Sequence, residues 1–510
     1  MSSRERISSV DNAWLRMDRP VNLMQIVGVM IFEGRQDFER LKRTVAHRLL
    51  HYRRFRQIAV QEGNGAWWVD DRNFDLDAHL HHSLLPAPGD TRELQKFVAE
   101  LASAPLNPTR PRWEFHLVET AAGDSALVAR IHHAIADGIA LIGVMNSLTD
   151  EQADTPEDSG RQAWTKNVDA TRDDPDTHAN DLFWRWIYEP MTDATLASLR
   201  IGGKLWTKYL DLLRNPGQAI DYARLAGTIA GEVGKLALMC NDSKTRFKGK
   251  PGTSKCVAWS AAIPLPEVKA VGKVLGCSVN DLLLCAVAGA LRGYLVDRGD
   301  AVEQTEIRAL VPVNLRAPGD DEDLGNRFGL VALALLVGIE NPLRRLYVTR
   351  ERMAALKDSY QAMLTFTILG AVGMAPRFIQ QQILDLLAGK ATAVMTNVPG
   401  PRQARYLAGA KLRQQMFWVP QSGDIGMGVS ILSYDNQVQF GLITDKGLVD
   451  DPERIVERFA VEFEKLLWLV LMEPRERLDN PEAVAQALAD EAPQQPKPPT
   501  LRRRAARRPQ

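Results

Sequence analysis

The stretch Ala126-Leu-Val-Ala-Arg-Ile-His-His-Ala-Ile-Ala-Asp-Gly138 decides how the rest of this chain is read. Its first half, Ala126 to Ile131, is short, apolar and β-compatible; from Ile139 to Leu148 apolar residues return at near-helical spacing. The pattern is strand, tight loop, helix. Two histidines, His132 and His133, stand where the strand runs out, and Asp137-Gly138 closes the turn. Two readings fit. In one, both histidines are hydrogen-bonded core residues and Asp137 caps the next helix. In the other, the loop aims an imidazole into a cavity.

Outward from that stretch, 510 residues exceed what one core organises, so two large domains and a tail are expected. A hydrophobic content of 45% and a charged content of 25% are those of a globular protein. Lys+Arg 63 against Asp+Glu 63 leaves no net charge, hence no footprint for nucleic acid. Cys240, Cys256, Cys277 and Cys285 lack zinc or CxxC spacing and read as reduced thiols, consistent with a cytoplasmic location. Met1-Ser-Ser-Arg-Glu-Arg6 has no apolar core of a secretory signal. No run reaches about 18 uninterrupted apolar residues, so contact with a membrane would be peripheral.

Before the histidine loop, a helix start at Ile7-Ser-Ser-Val-Asp11 leads into a strand at Gln25–Phe32, then a helix over 36–51. His79, His81 and His82 invite a metal reading, but no neighbouring Cys or acidic pair completes a ligand set; no metal is expected. A helix at 89–103 and a strand at Trp113–Glu119 follow, the latter able to pair with Ala126–Ile131 through an Ala-Ala-Gly-Asp turn. These make residues 1–150 a first domain.

Residues 151–180 are rich in Asp, Glu, Thr and Pro and read as a linker. Residues 182–240 are helical, either a hairpin packed on a domain or, because Trp184, Trp186 and Trp206 alternate with Lys204 and Lys208, a surface for a lipid interface. A second domain over 251–480 has strands near 256–260, 307–313, 330–337, 391–397, 426–434 and 437–444. Its helices fall at 265–275, 278–296, 342–389 and 451–472. From 481 to 510 the chain is a Pro- and Arg-rich tail, expected to be disordered and to serve either affinity for anionic lipid or solubility alone.

Several of these segments together resemble the bacterial wax ester synthase/acyl-CoA:diacylglycerol acyltransferases, members of the chloramphenicol-acetyltransferase-like superfamily. The resemblance rests on Ile7-Ser-Ser-Val-Asp11, Pro111-Arg-Trp113, His132-His-Ala-Ile-Ala-Asp-Gly138, Val279-Asn-Asp-Leu-Leu283 and Val311-Pro-Val-Asn-Leu-Arg316. It continues through Leu324-Gly-Asn-Arg-Phe-Gly329, Thr396-Asn-Val-Pro-Gly-Pro401, Phe417-Trp-Val-Pro-Gln-Ser-Gly423 and Val429-Ser-Ile-Leu-Ser-Tyr434. HHxxxDG alone is shared by many acyltransferases; combined with the other segments it is specific. Arg112 stands where the family often has Leu, and Ser9 where it often has Pro.

The resemblance implies an α/β protein of two α+β sandwich domains, with mixed sheets flanked by helices and an active-site channel between them. It implies His133 as general base, with His132 shaping the loop and Asp137 paired to an arginine, for which Arg316 is the candidate. Gly138 would supply a backbone that a Cβ hinders. Thr396 or Asn397 would donate to the oxyanion, Asn280 and Asp281 would order the active region or cap a helix, and Trp113 would pack near the acyl path. One imidazole can take the hydroxyl proton and return it to the leaving thiolate. No Gly-x-Ser-x-Gly elbow is present, so direct transfer is expected. Acyl-CoA and a fatty alcohol or diacylglycerol would be substrates, with no cofactor, and a membrane or lipid-droplet surface is an expected partner. A carrier-bound acyl donor, as in peptide condensation domains, and a non-catalytic lipid-binding protein are the competing readings.

Overall fold

The computed structural model describes residues 4–62, 65–156, 241–314, 326, 328–357, 389–484 and 486. Of the expected linker and connector, residues 157–240, of the expected helix 342–389, residues 358–388, and also Arg316 and the Arg-rich tail from 487 lie outside the described residues.

The N-terminal half supplies β1 (Gln25–Glu33), β2 (Leu80–Leu84), β3 (Trp113–Glu119) and β4 (Ser125–His132). The C-terminal half supplies β5 (Lys255–Trp259), β6 (Ile307–Asn314), β7 (Phe328–Leu335), β8 (Ala393–Pro399), β9 (Ala410–Trp418), β10 (Met427–Tyr434) and β11 (Gln437–Asp445). β3 alternates between a core face of Trp113, Phe115 and Leu117 and a partly exposed face of Glu114 and His116, as period-two patterning requires. β1 and β4 are buried along nearly their whole length because helices or the other half cover both faces.

Two large mixed sheets result, beside a small antiparallel one of Glu5–Arg6, Gly65–Asp70 and Gln57–Glu62. The first runs β9-β1-β4-β3-β2, with the short strand Tyr406–Leu407 beyond β9, and only β2 and β3 are parallel. The second runs β7-β6-β8-β10-β11-β5, with β8 parallel to both of its neighbours. The first sheet is therefore completed by the C-terminal half, because β9 pairs with β1. A division at residue 250 by chain position does not partition the sheets. The pairing is close: a Cβ on Gly28 would meet the Phe417 ring at 2.4 Å, so only glycine admits that aromatic across β1.

The β10–β11 turn has Asp435 at φ 46° and Asn436 at φ 58°, the two left-handed residues of a type I′ hairpin. Helix Val279–Asp297 is long and apolar enough to cross a bilayer by composition. Instead it is the buried centre of the C-terminal core, packed against Phe459, Phe463 and Leu466 of helix Glu453–Met472.

Candidate active site

β4 ends at His132, and the chain then turns through a loop buried from Ile131 to Asp137. The turn is held by its own histidines. His133 N–H donates to Met24 O at 2.8 Å, Ile135 N–H to His132 O at 2.9 Å, and Ala134 N–H to His132 Nδ1 at 3.1 Å. Because His132 accepts at Nδ1, its hydrogen is on Nε2. That nitrogen faces Asp18 Oδ2 at 3.4 Å, and Asp18 also takes Arg112 Nη1 at 3.1 Å and Met24 N–H at 3.0 Å. Burial alone would raise the Asp18 carboxyl, but His132, Met24 and Arg112 outweigh it and hold it below the usual range. His132 is thus an anchor of the loop.

Asp137 caps helix Gly138–Ser147 by accepting Ala140 N–H at 2.8 Å. The expected partner Arg316 lies outside the described residues. Gly138 is not left-handed, and a Cβ there would lie 3.4 Å from Val419 Cγ1. The expected hindrance to a Cβ is not seen in the backbone, which is outside the left-handed region; a Cβ would project beside Val419 on a cavity wall.

That cavity, with an empty volume of ≈ 960 Å³ including its open mouth, lies between the two halves. His133, Asp137 and Gly138 line it from the loop, Leu310 and Pro312 from β6, Thr396 and Val398 from β8, and Phe417 from β9. The wall is mostly aliphatic and aromatic, with His133, Asp137, Thr396, Ser422 and Ser430 as its polar lining. A cavity with this lining suits an apolar substrate.

His133 is 3% exposed. Burial pushes its imidazole down to about 4, against the opposing pull of the Asp137 charge, so at neutral pH the ring is neutral and able to accept a proton. Two residues from elsewhere fix it. Trp14 stacks on the ring with centroids 4.2 Å apart and planes at 21°. Asn326, from the other half, donates Nδ2 to His133 O at 2.9 Å and to Asp11 Oδ1 at 2.6 Å. Ser8 caps the helix Ser9–Met17, accepting Asp11 N–H at 3.0 Å, and the i,i+3 spacing sends Asp11 and Trp14 to one helix face. Neither Trp14 nor Asn326 is among the site residues expected from the sequence. The spacing of Asp11 and Trp14 was the available signal.

Thr396 lines the cavity with His133, its Oγ1 at 3.4 Å from Phe417 O and 3.3 Å from Val429 O. Asn397 points to the other face of β8, where its Nδ2 donates to Asn280 Oδ1 at 2.5 Å. Neither asparagine lines the cavity. Asn280 is not the helix cap: Ser278 is, and Asp281 closes a capping box by accepting Ser278 N–H at 2.9 Å. Trp113 is also displaced from its expected place. It is fully buried in the N-terminal core, donating Nε1–H to Phe55 O at 2.8 Å and stacking on His79, and does not line the cavity.

The histidine-rich strand is absorbed by structure. His79 Nδ1 bonds Trp113 O at 2.7 Å, and His82 Nε2 lies 2.9 Å from Glu119. The fold sets His81 beside Glu114 and His116, their ligand atoms within 4.8 Å of one another. Glu114 already accepts Arg130 Nη1 at 2.8 Å, so a cation there would sit against a buried guanidinium.

A two-sheet α/β fold with one neutral imidazole on an apolar cavity between its halves is the arrangement of an HHxxxDG acyltransferase. Comparison with known proteins narrows the class. Residues 7–283 match the wax ester synthase/diacylglycerol acyltransferase catalytic domain, and 324–467 the WS/DGAT C-terminal domain. The chain is 28% identical over 462 residues to a probable diacylglycerol O-acyltransferase of Mycobacterium tuberculosis, covering 87% of this chain and 92% of that one. It is 25% identical over 410 residues to the O-acyltransferase WSD of Acinetobacter baylyi, covering 79% and 83%. In fold it is similar to the wax ester synthase/diacylglycerol acyltransferase from Marinobacter aquaeolei VT8, with TM-score 0.65 and 20% identity over 92% of this chain and 100% of that one. The chain belongs to the wax ester synthase/diacylglycerol acyltransferase family, and it is an acyltransferase.

Proposed function

We propose that this chain esterifies a fatty alcohol or diacylglycerol with a long-chain acyl group taken from CoA, by direct transfer with His133 as the base. The hydroxyl oxygen forms its bond to the thioester carbonyl carbon while its proton moves to His133. The C–S bond then breaks, and His133 returns the proton to the departing thiolate. Atoms balance without an acyl-enzyme and without a cofactor; acyl-CoA is a substrate. The observation that carries this reading is His133 itself, neutral, nearly inaccessible to water and set in the wall of an aliphatic cavity.

Thr396 fits the oxyanion donor. Its hydroxyl hydrogen is spent only on carbonyls at the long end of hydrogen-bond range, so it can turn to a developing alkoxide at little cost. Asn397, committed to Asn280 on the far side of β8, does not serve in that role. The chain is further proposed to act in the cytoplasm, at a membrane or lipid-droplet surface where its substrates reside. Trp468, Leu471 and Met472, exposed together at the end of helix Glu453–Met472, support that placement.

The test is thiol release from a long-chain acyl-CoA with hexadecanol or dioleoylglycerol, wild type beside His133→Ala. Alcohol-dependent release with ester formation, lost in the variant, is the expected result. Release that persists in His133→Ala moves the base elsewhere. A folded wild type inert toward free acyl-CoA would point to a carrier-bound donor.

A further inference from the structure

The base has a difficulty that the reaction must overcome. A proton taken by His133 creates an imidazolium in the wall of an aliphatic cavity, where the residue is only 3% exposed. Burial of that kind strongly opposes charge, so something near the ring must favour the cation as it forms. Among the described residues, the groups facing His133 from its own loop are Asp137 and His132, and from the other half Asn326, with Asp11 behind it. Asp137 is partly engaged, its Oδ1 accepting the Ala140 N–H. His132 is itself neutral, its Nδ1 accepting Ala134 N–H and its Nε2–H turned to Asp18, and offers the ring no negative charge. Asn326 reaches the His133 carbonyl and thereby the loop. The remaining neighbour is aromatic.

The Trp14 indole covers a face of the imidazole at 4.2 Å, with planes 21° apart. A cation over the face of an aromatic ring within about 6 Å is attracted by the ring quadrupole, and tryptophan is the strongest of the side chains that act so. We propose that Trp14 is a positioning residue for the transfer reaction: its indole face holds the plane of the His133 ring and stabilises the imidazolium that forms as the alcohol proton moves. The helix that carries Trp14 is pinned to the site by a second contact, Asp11 to Asn326, one turn away on the same face. The indole is therefore held in register with the loop. This inference rests on the transfer reading with His133 as base.

Mere packing would give the same picture, so the test must alter the ring's electrostatics and leave its shape. The full-length chain is prepared with mono-, di- and trifluorotryptophan incorporated at position 14 alone. Fluorine withdraws density from the ring face and barely changes its size. The expected result is a stepwise fall in kcat, reaching about tenfold across the series, with KM for acyl-CoA within about twofold. Trp14→Phe should retain part of the rate, and Trp14→Leu should fall below the most fluorinated protein. A kcat constant across the series overturns the proposal and leaves Trp14 as cavity wall. So does a change confined to KM.

A readout free of turnover separates this inference from the function it rests on. With histidine labelled at Cε1 and the His133 signal assigned through His133→Gln, the His133 titration is followed by NMR in each protein. Each fluorine should shift it to lower pH, because the protonated form loses a stabilising contact. If the wild type proves inert toward acyl-CoA, the transfer reading fails, and the NMR series still decides the stack. A titration that stays in place, or moves toward the ordinary histidine range as it would if water had entered, refutes it.

Discussion

Replacing Asn326 by Ala removes one amide group that serves two acceptors, His133 O at 2.9 Å and Asp11 Oδ1 at 2.6 Å. The loss has two parts. A hydrogen bond to a charged acceptor contributes about 1.5–3 kcal/mol, and an orphaned buried carbonyl costs about 1 kcal/mol or more. Alanine also leaves space that water can enter to recover some of this, so about 3 kcal/mol is the expected destabilisation near neutral pH. The pH dependence identifies the cause. Burial already holds the Asp11 carboxyl above its ordinary value, and Asn326 is foremost among the groups pulling it back down. A carboxyl whose pKa is higher in the folded state binds its proton more tightly there. It therefore favours folding most below its unfolded value, about 4, and loses that advantage as pH rises through the folded value. Without Asn326 the folded value climbs further, so the penalty in Asn326→Ala should be smaller at about pH 5 than at about pH 7.5. Chemical denaturation followed by tryptophan fluorescence at the two pH values measures this. The pair Asp11→Ala and Asn326→Ala should show a coupling of about 2 kcal/mol in a double-mutant cycle. Destabilisation below about 1 kcal/mol near neutrality, or equal at both pH values, would refute the clasp.

The other predictions concern the histidine loop and the cavity wall. His133→Gln should lower kcat by about 10²–10⁴-fold and reduce acid sensitivity. The wild-type ring, pushed down to about 4, costs stability as pH falls from about 6.5, where only the unfolded chain takes the proton, and the cost stops growing below about 4. The wild-type denaturation midpoint should thus fall more between about pH 6.5 and about pH 4 than the variant's. Thr396→Val should reduce kcat about 10²-fold with little change in KM, and Thr396→Ser should recover most of it; equal rates for Val and Ser exclude the hydroxyl as oxyanion donor. Gly138→Ala should melt within a few degrees of wild type, since its Cβ meets only Val419, whereas Gly138→Leu should raise KM for long-chain substrates by obstructing the cavity. Unfolding of Gly138→Ala would restore the conformational role for that glycine.

Much of the fold was legible because its elements carry clean periodicity. Trp113–Glu119 and Leu265–Leu275 fall where alternation and helical spacing put them. β9 was not legible. Lys411, Arg413, Gln414 and Gln415 dilute its apolar residues, and a bulge between Leu412 and Gln414 breaks its alternation. Gln415 is buried, and its backbone N–H donates to a side chain 24 positions away, Gln439 Oε1 at 2.8 Å. The expected helix over 36–51 stops being α-helical at Thr44 and continues as a π-turn over Val45–Leu49, a hydrogen-bond shift that apolar spacing does not encode. At the site, the loop that carries His133 could be read from thirteen consecutive residues. The residues that hold it could not. Asp11 and Asn326 are 315 positions apart, and nothing local to either names the other. Trp113, Asn280 and Asn397 belong to motifs of the family, yet they are buried in cores or behind the cavity strand, so membership in a motif did not place them at the chemistry.

The insertion of β9 beside β1 has a consequence for how the protein is made. Until the ribosome has delivered Ala410–Trp418, β1 is an open edge, and a nearly all-buried one, from Gln25 to Phe32. For most of its synthesis the nascent chain exposes a flat apolar strand able to pair with its neighbours on the same message. Closing that edge joins residues nearly four hundred positions apart, so the last step of the first sheet waits on the slowest kind of contact. Fragments ending before β9 would be expected to precipitate, and a second chain supplying β9 would be expected to rescue them.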